Sequence, residues 1–250
     1  MSQNNSTVAM QFDDAQQQHW AAAFGMWIFL GTEVMFFGGL FLAYTVYRFE
    51  YPEVFPAASE HLNLWAGGAM TAILLAGSLL VALSDHLMEH FCNQDASRSG
   101  HRLLESDDSA QLSLARSTDK EMSEMQQVIW RRLAITAALG VAFLLLEFYE
   151  YFSLYRDGLF PGQRFNGSGF EQLYLGGRSV QIFFVLFFCM TGLHGFHMII
   201  GISLVSGLAV AMKRSKQPAR LRNPLMCIGL YWHFVDIIWI FLYPLFYLVR

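Results

Sequence analysis

Seven side chains of this 250-residue sequence have the types and spacing that proton or metal chemistry needs: Glu33, Glu147, Glu150, His194, His197, His233 and Asp236. Six of them fall into pairs three residues apart, so on a helix each pair shares one face. An imidazole beside a carboxyl can share or relay a proton. Two imidazoles one turn apart can chelate a metal, and either histidine of that pair, facing His233 from a separate helix, could offer axial ligands to a haem. Against these stands a plainer use, in which a polar pair between apolar helices fixes one helix against the next. The Glu147/Glu150 pair lacks the Glu-x-x-His partner that a di-iron bundle requires. His86, His90 and Cys92 have no further ligand at a diagnostic spacing.

The elements that must position these groups are membrane spans. The sequence is 54% hydrophobic and 14% charged, with a mean hydropathy of +0.35, which places it in the membrane class and excludes a soluble enzyme. A net charge of -4 spread thinly leaves no basic face for nucleic acid. Cys92, Cys189 and Cys227 lie far apart without a CxxC, so neither a metal knuckle nor a disulfide framework is indicated.

Five apolar runs are long enough to cross a core of roughly 30 Å at about 1.5 Å per residue. They cover about residues 20–47, 62–84, 128–151, 180–212 and 226–249. The expected fold is an all-α membrane protein with a bundle of five transmembrane helices. A polar tail (1–19) precedes a single transmembrane domain (20–250), and a polar cytoplasmic loop (85–127) interrupts it. Within that loop Thr118 and Glu121 have capping-box spacing and predict the start of the third helix. No Lys or Arg precedes the first apolar run, which is too long for a signal-peptide core and is expected to remain a span. Pro52 and Pro56 predict an extended or turned first loop, and Asn166-Gly167-Ser168 matches a glycosylation sequon that reads more simply as a turn.

Charge sets the orientation. The loop between spans four and five carries Lys213, Arg214, Lys216, Arg220 and Arg222 and no acid, so the positive-inside rule puts the N-terminus in the cytoplasm and the C-terminus outside. Lys213, Arg214 and Lys216 are candidates for holding anionic lipid headgroups or an acidic partner surface. Depth along the spans brings Glu33, about 15 to 20 Å in, level with His194 and His197 at about 20 Å, and leaves His233 at about 10 Å. Glu33 is therefore expected to contact one of the two histidines, with His233 and Asp236 forming a separate site nearer the cytoplasm.

Four motifs in order, GTEVMFFGGLFLAY (31–44), LLLEFYEY (144–151), TGLHGFHMIIG (191–201) and YWHFVDIIWIFLYPLFYL (231–248), resemble the haem-copper oxidase subunit III family, also called the cytochrome c oxidase subunit 3 family, in its five-helix bacterial version. The resemblance implies a subunit without catalytic, metal or cofactor-binding residues of its own, in a proton-pumping terminal oxidase whose haems and copper sit in partner subunits I and II. It implies direct packing on subunit I, bound phospholipid, support of proton supply and turnover stability, a place in a larger respiratory supercomplex, and a multi-pass location in the bacterial cytoplasmic membrane. Glu33 matches the family's membrane carboxyl and Glu150 the Glu of its Glu-Tyr motif. The resemblance also implies that these acids and histidines face inward. It leaves open a quinol oxidase or a nitric oxide reductase accessory subunit, and the residues alone leave an autonomous transporter or haem-binding protein.

Overall fold

The computed structural model describes residues 15–102, 108–162, 165 and 177–249. Its elements are α1 (Ala15–Glu50), α2 (Val54–Ser59), α3 (Leu64–Arg102), α4 (Asp108–Arg156), α5 (Gly177–Arg214), a 3-10 turn (Pro218–Leu221) and α6 (Arg222–Tyr247). No strand occurs among the described residues. Five of the helices are long and apolar enough to cross a membrane, over Gln16–Glu50, Leu64–Gln94, Lys120–Arg156, Val180–Arg214 and Pro218–Tyr247.

Helices α3, α4, α5 and α6 form a ring in which each packs on its two neighbours, and α1 leans on α6 and touches α5. One end of the bundle is marked by His19 against Asn223 and Arg222 against Glu89. The other is marked by Tyr44 against the Leu245 carbonyl and Asn63 against Glu150. We call these the basic end and the far end.

At the centre of the ring, Trp232 of α6 lies in a socket of three glycines. A Cβ on Gly77 of α3, Gly140 of α4 or Gly201 of α5 would lie 3.5, 3.0 and 3.5 Å from the indole ring. Small residues let backbones approach where lipid supplies no hydrophobic drive between helices, and dispersion contacts then hold them. Towards the far end, Phe183, Phe187 and Phe246 meet edge to face at 5.3 to 5.6 Å, with Tyr44 and Phe55 joining through 5.1 and 5.4 Å contacts.

The chain departs from its sequence reading at the boundaries. The stretch 85–127 is mostly helix rather than loop: α3 continues to Arg102 and α4 begins at Asp108, with 103–107 outside the described residues. It is polar, but it contains no proline and a single glycine, Gly100, and such a sequence continues a helix readily in water. Thr118 and Glu121 consequently sit inside α4 and not at its start. Residues 15–19, read as tail, open α1, whereas 1–14 lie outside the described residues. The first loop takes the turned form at Pro52, and Pro56 falls in the first turn of α2, where its missing N–H has no helical partner to lose. Helix α4 ends in a Schellman pattern: Leu159 N–H bonds to the Leu154 carbonyl at 2.9 Å and Gly158 N–H to Tyr155 at 3.2 Å, with Gly158 at φ 75°. The Asn166 sequon lies outside the described residues.

Gly140→Leu tests the socket. A Cβ there already meets Ile202 Cγ1 at 2.7 Å, so the larger side chain should destabilise the protein by about 1 to 3 kcal/mol. Gly207→Leu, whose Cβ meets nothing within 4 Å, should leave thermal unfolding in mild detergent unchanged.

Candidate functional site

The polar groups buried at membrane depth are distributed as ties between helices. Glu33 of α1 meets His197 of α5, Oε2 to Nε2, at 3.3 Å. His197 Nδ1 lies 2.9 Å from the Leu193 carbonyl. A carbonyl can only accept, so Nδ1 carries a hydrogen and Nε2 is the atom free to exchange a proton with Glu33. The contact is sound in two forms, imidazolium with carboxylate or neutral imidazole with carboxylic acid, and both hold the same single proton. Tyr231 of α6 donates to the His197 backbone carbonyl at 3.1 Å, and Phe37 sits edge-on to the imidazole at 5.4 Å. Glu33 and His197 side chains retain 20% and 11% exposure, so this pair lies at the rim of the bundle rather than in its interior.

His194, the alternative partner for Glu33, is turned into the core between Phe143 and Trp239 at 5.5 and 5.2 Å. Neither of its ring nitrogens has a hydrogen-bond partner among the described residues. His233 and Asp236 are not bonded to one another. His233 Nδ1 pairs with Ser78 Oγ of α3 at 2.6 Å, and its half-buried ring also lines the groove between α1 and α6. Asp236 is buried without a hydrogen bond to either carboxyl oxygen, its polar neighbours being Ser78 and Trp232.

The far end holds a second polar knot that spacing alone did not assemble. Glu150 of α4 accepts from the Tyr247 hydroxyl of α6 and, at 3.3 Å, from the Asn63 backbone N–H before α3. Three elements are thereby fastened by one carboxyl. Glu147, one turn earlier, receives the Tyr151 hydroxyl at 3.4 Å, and that hydroxyl is 2.6 Å from Thr191 of α5. Gly195 makes room for this carboxyl, since a Cβ there would lie 3.0 Å from Glu147 Oε2. The clue in the sequence was the phenol on each side, Tyr151 and Tyr247, since a buried Tyr hydroxyl seeks a partner.

Among the described residues no three His, Cys, Asp or Glu side chains converge as a metal site would require. His86 and His90 stack at 6.5 Å between centroids with no third ligand. Glu147, Glu150, His194, His197 and Asp236 are buried, while Glu33 and His233 face seams between helices that are open to the surroundings. The three basic candidates are all exposed, and Lys213 among them lies over the Trp130 ring of α4.

A family model described as cytochrome c oxidase subunit III matches residues 177–249, which hold both histidines of α5 and the whole of α6. Similarity extends well beyond that segment. Cytochrome c oxidase subunit 3 of Thermostichus vulcanus is 29% identical over 245 residues, covering 96% of this chain and 94% of that protein. The subunit 3 of Synechocystis sp. is 28% identical over 230 residues, covering 90% and 75%. Cytochrome bo(3) ubiquinol oxidase subunit 3 of Buchnera aphidicola is 25% identical over 225 residues, covering 90% and 85%. The chain is similar to the haem-copper oxidase subunit III family over nearly its whole length. With five helices long and apolar enough to cross a membrane, this similarity indicates a multi-pass membrane protein, and the knots around His197 and Glu150 fall on the motifs from which the resemblance was read.

Substitutions at each end separate the knots. Glu33→Gln keeps a donor for His197 Nε2 and should leave stability nearly unchanged, whereas Glu33→Leu should cost about 1 to 3 kcal/mol. Tyr247→Phe removes a donor from buried Glu150 and should cost a similar amount, which Glu150→Gln paired with it should partly restore. Thermal unfolding of the purified protein measures both, and an unaltered transition in Tyr247→Phe would exclude the far-end knot as a stabilising tie.

Proposed function

We propose that this chain serves as the non-catalytic subunit III of a proton-pumping haem-copper terminal oxidase, built into a complex whose haems and copper belong to subunits I and II. The observation that carries the reading is the use to which the motif residues are put. Glu33, Glu150, His197 and His233 each reach a neighbouring helix or the segment leading into one, which suits a scaffold better than a redox site. Relatives named for cytochrome c oxidase favour cytochrome c as the electron source of the complex, and those named for quinol oxidases make quinol the alternative.

Direct packing on subunit I is supported by the breadth of apolar surface that the bundle leaves bare, including Trp27, Met35 and Phe49 on α1 and Leu145 and Phe148 on α4. Phospholipid belongs in the same account. A groove of about 570 Å³ between α1 and α6, walled by Trp27, Val34, Phe41, Phe234, Ile237 and Phe241, offers an apolar bed for acyl chains. The basic end faces the cytoplasm by the positive-inside rule, and the bacterial cytoplasmic membrane is the compartment. From that position the subunit supports proton supply and turnover stability of subunit I, within a supercomplex where one exists.

Deleting the chain tests the reading. The remaining complex should keep its haem and copper absorbance and its metal stoichiometry while losing activity faster during turnover, followed as oxygen consumption. Loss of one metal or haem for each copy removed would overturn the non-catalytic assignment.

A further inference from the structure

At the basic end, outside the motifs, α4 and α5 enclose a notch of about 400 Å³ lined by Ser123, Gln126, Gln127, Trp130, Arg131 and Lys213. Two cations converge on one indole there: Lys213 Nζ lies 4.7 Å and Arg131 Cζ 6.0 Å from the centroid of Trp130. Each contact with the ring is favourable by itself. Together they gather like charges around one side chain, yet no carboxylate lines the notch, and among the described residues neither cation forms an ion pair. The floor is fixed, because Gln126 Nε2 donates to the carbonyls of Met212 and Ser215 at 2.5 and 3.0 Å. Those two carbonyls at the end of α5 are thus met by an amide and not by either cation.

We propose that this notch is a binding site for the phosphate of an anionic phospholipid, with Lys213 and Arg131 as its charged ligands and the hydroxyl and amide of Ser123 and Gln127 at its edge. The chemistry follows from the donors: a guanidinium with a fixed fork and an ammonium beside it match phosphate oxygens. A lipid fits better than a free anion because an apolar track leaves the notch. Ile135, one turn beyond Arg131, is exposed, and so is Val210, one turn before Lys213, so both point the way into the hydrocarbon for acyl chains. Trp130 marks the level, since its ring belongs at the headgroup interface, and basic pockets between spans at a membrane surface hold anionic headgroups. A zwitterionic headgroup would bring a third cation and is disfavoured. The site is separate from the α1/α6 groove, and it rests on the membrane-subunit reading above without depending on oxidase chemistry.

The test uses the purified complex that contains this chain, with bound lipid counted by native mass spectrometry. After delipidation the complex is titrated in parallel with phosphatidylglycerol, phosphatidylcholine and inorganic phosphate. The wild type should retain and rebind one phosphatidylglycerol per chain at this site, and inorganic phosphate should not displace it. Lys213→Ala with Arg131→Ala should weaken that binding roughly 30-fold, about fivefold for each basic group, while Arg214→Ala with Lys216→Ala should leave it unaltered. Equal loss in the two double variants would reduce the site to general surface attraction and overturn the proposal. So would phosphatidylcholine or inorganic phosphate binding as tightly as phosphatidylglycerol, or retention in the first double variant. Should that variant fail to assemble, the titration of the wild type decides between anionic lipid, neutral lipid and free phosphate.

Discussion

The bundle depends on one close approach, the entry of Trp232 into the socket of Gly77, Gly140 and Gly201. An indole is the largest side chain available, and it fits at the axis only because the other three helices of the ring present no Cβ towards it. The consequence is rotational as much as spatial. With Trp232 held, residues one turn away on α6 have their directions fixed: Asp236 is carried inwards, and Trp239, two turns on, delivers its indole N–H to Thr71 of α3 at 3.0 Å. His233 is turned instead to the seam where Ser78 meets it. The polar chemistry of α6 is therefore set by a packing contact that is itself apolar.

Much of this was legible in the sequence, and the exceptions have physical causes. Five spans followed from apolar runs alone, and depth counting brought Glu33 level with the α5 histidines, because rise per residue is nearly constant. It could not choose His197 over His194, since two residues one turn apart differ by less than the error of the count. The glycine socket was only partly visible. Gly77 could be read as a packing residue, but what it packs against lies 155 positions further on. Asp236 and His233 share a helix face by spacing, yet the Ser78 hydroxyl takes the imidazole and leaves the carboxyl without a bond. Tertiary neighbours decided a pairing that periodicity had only permitted. The helical character of 85–127 was hidden for a different reason: polarity signals exposure to water, and a helix outside the bilayer satisfies that signal as well as a loop does.

Helix α1 is tied to the rest by contacts at three heights: His19 with Asn223, Glu33 with His197, and Tyr44 with the Leu245 carbonyl. Every one of those partners lies in α5 or α6. Helix α1 thus leaves the ribosome well before the two helices that anchor it. At synthesis rates of about 5 to 20 residues per second, α1 waits on the order of ten seconds before α5 and α6 are complete. For that interval Glu33 has no imidazole to meet, and an acid at membrane depth is tolerated only in its neutral form, in contact with water, or against another protein. The order of the chain thus makes α1 a guest in the membrane before it is a member of the bundle, and gives an insertion chaperone or a neighbouring membrane protein a physical reason to hold it.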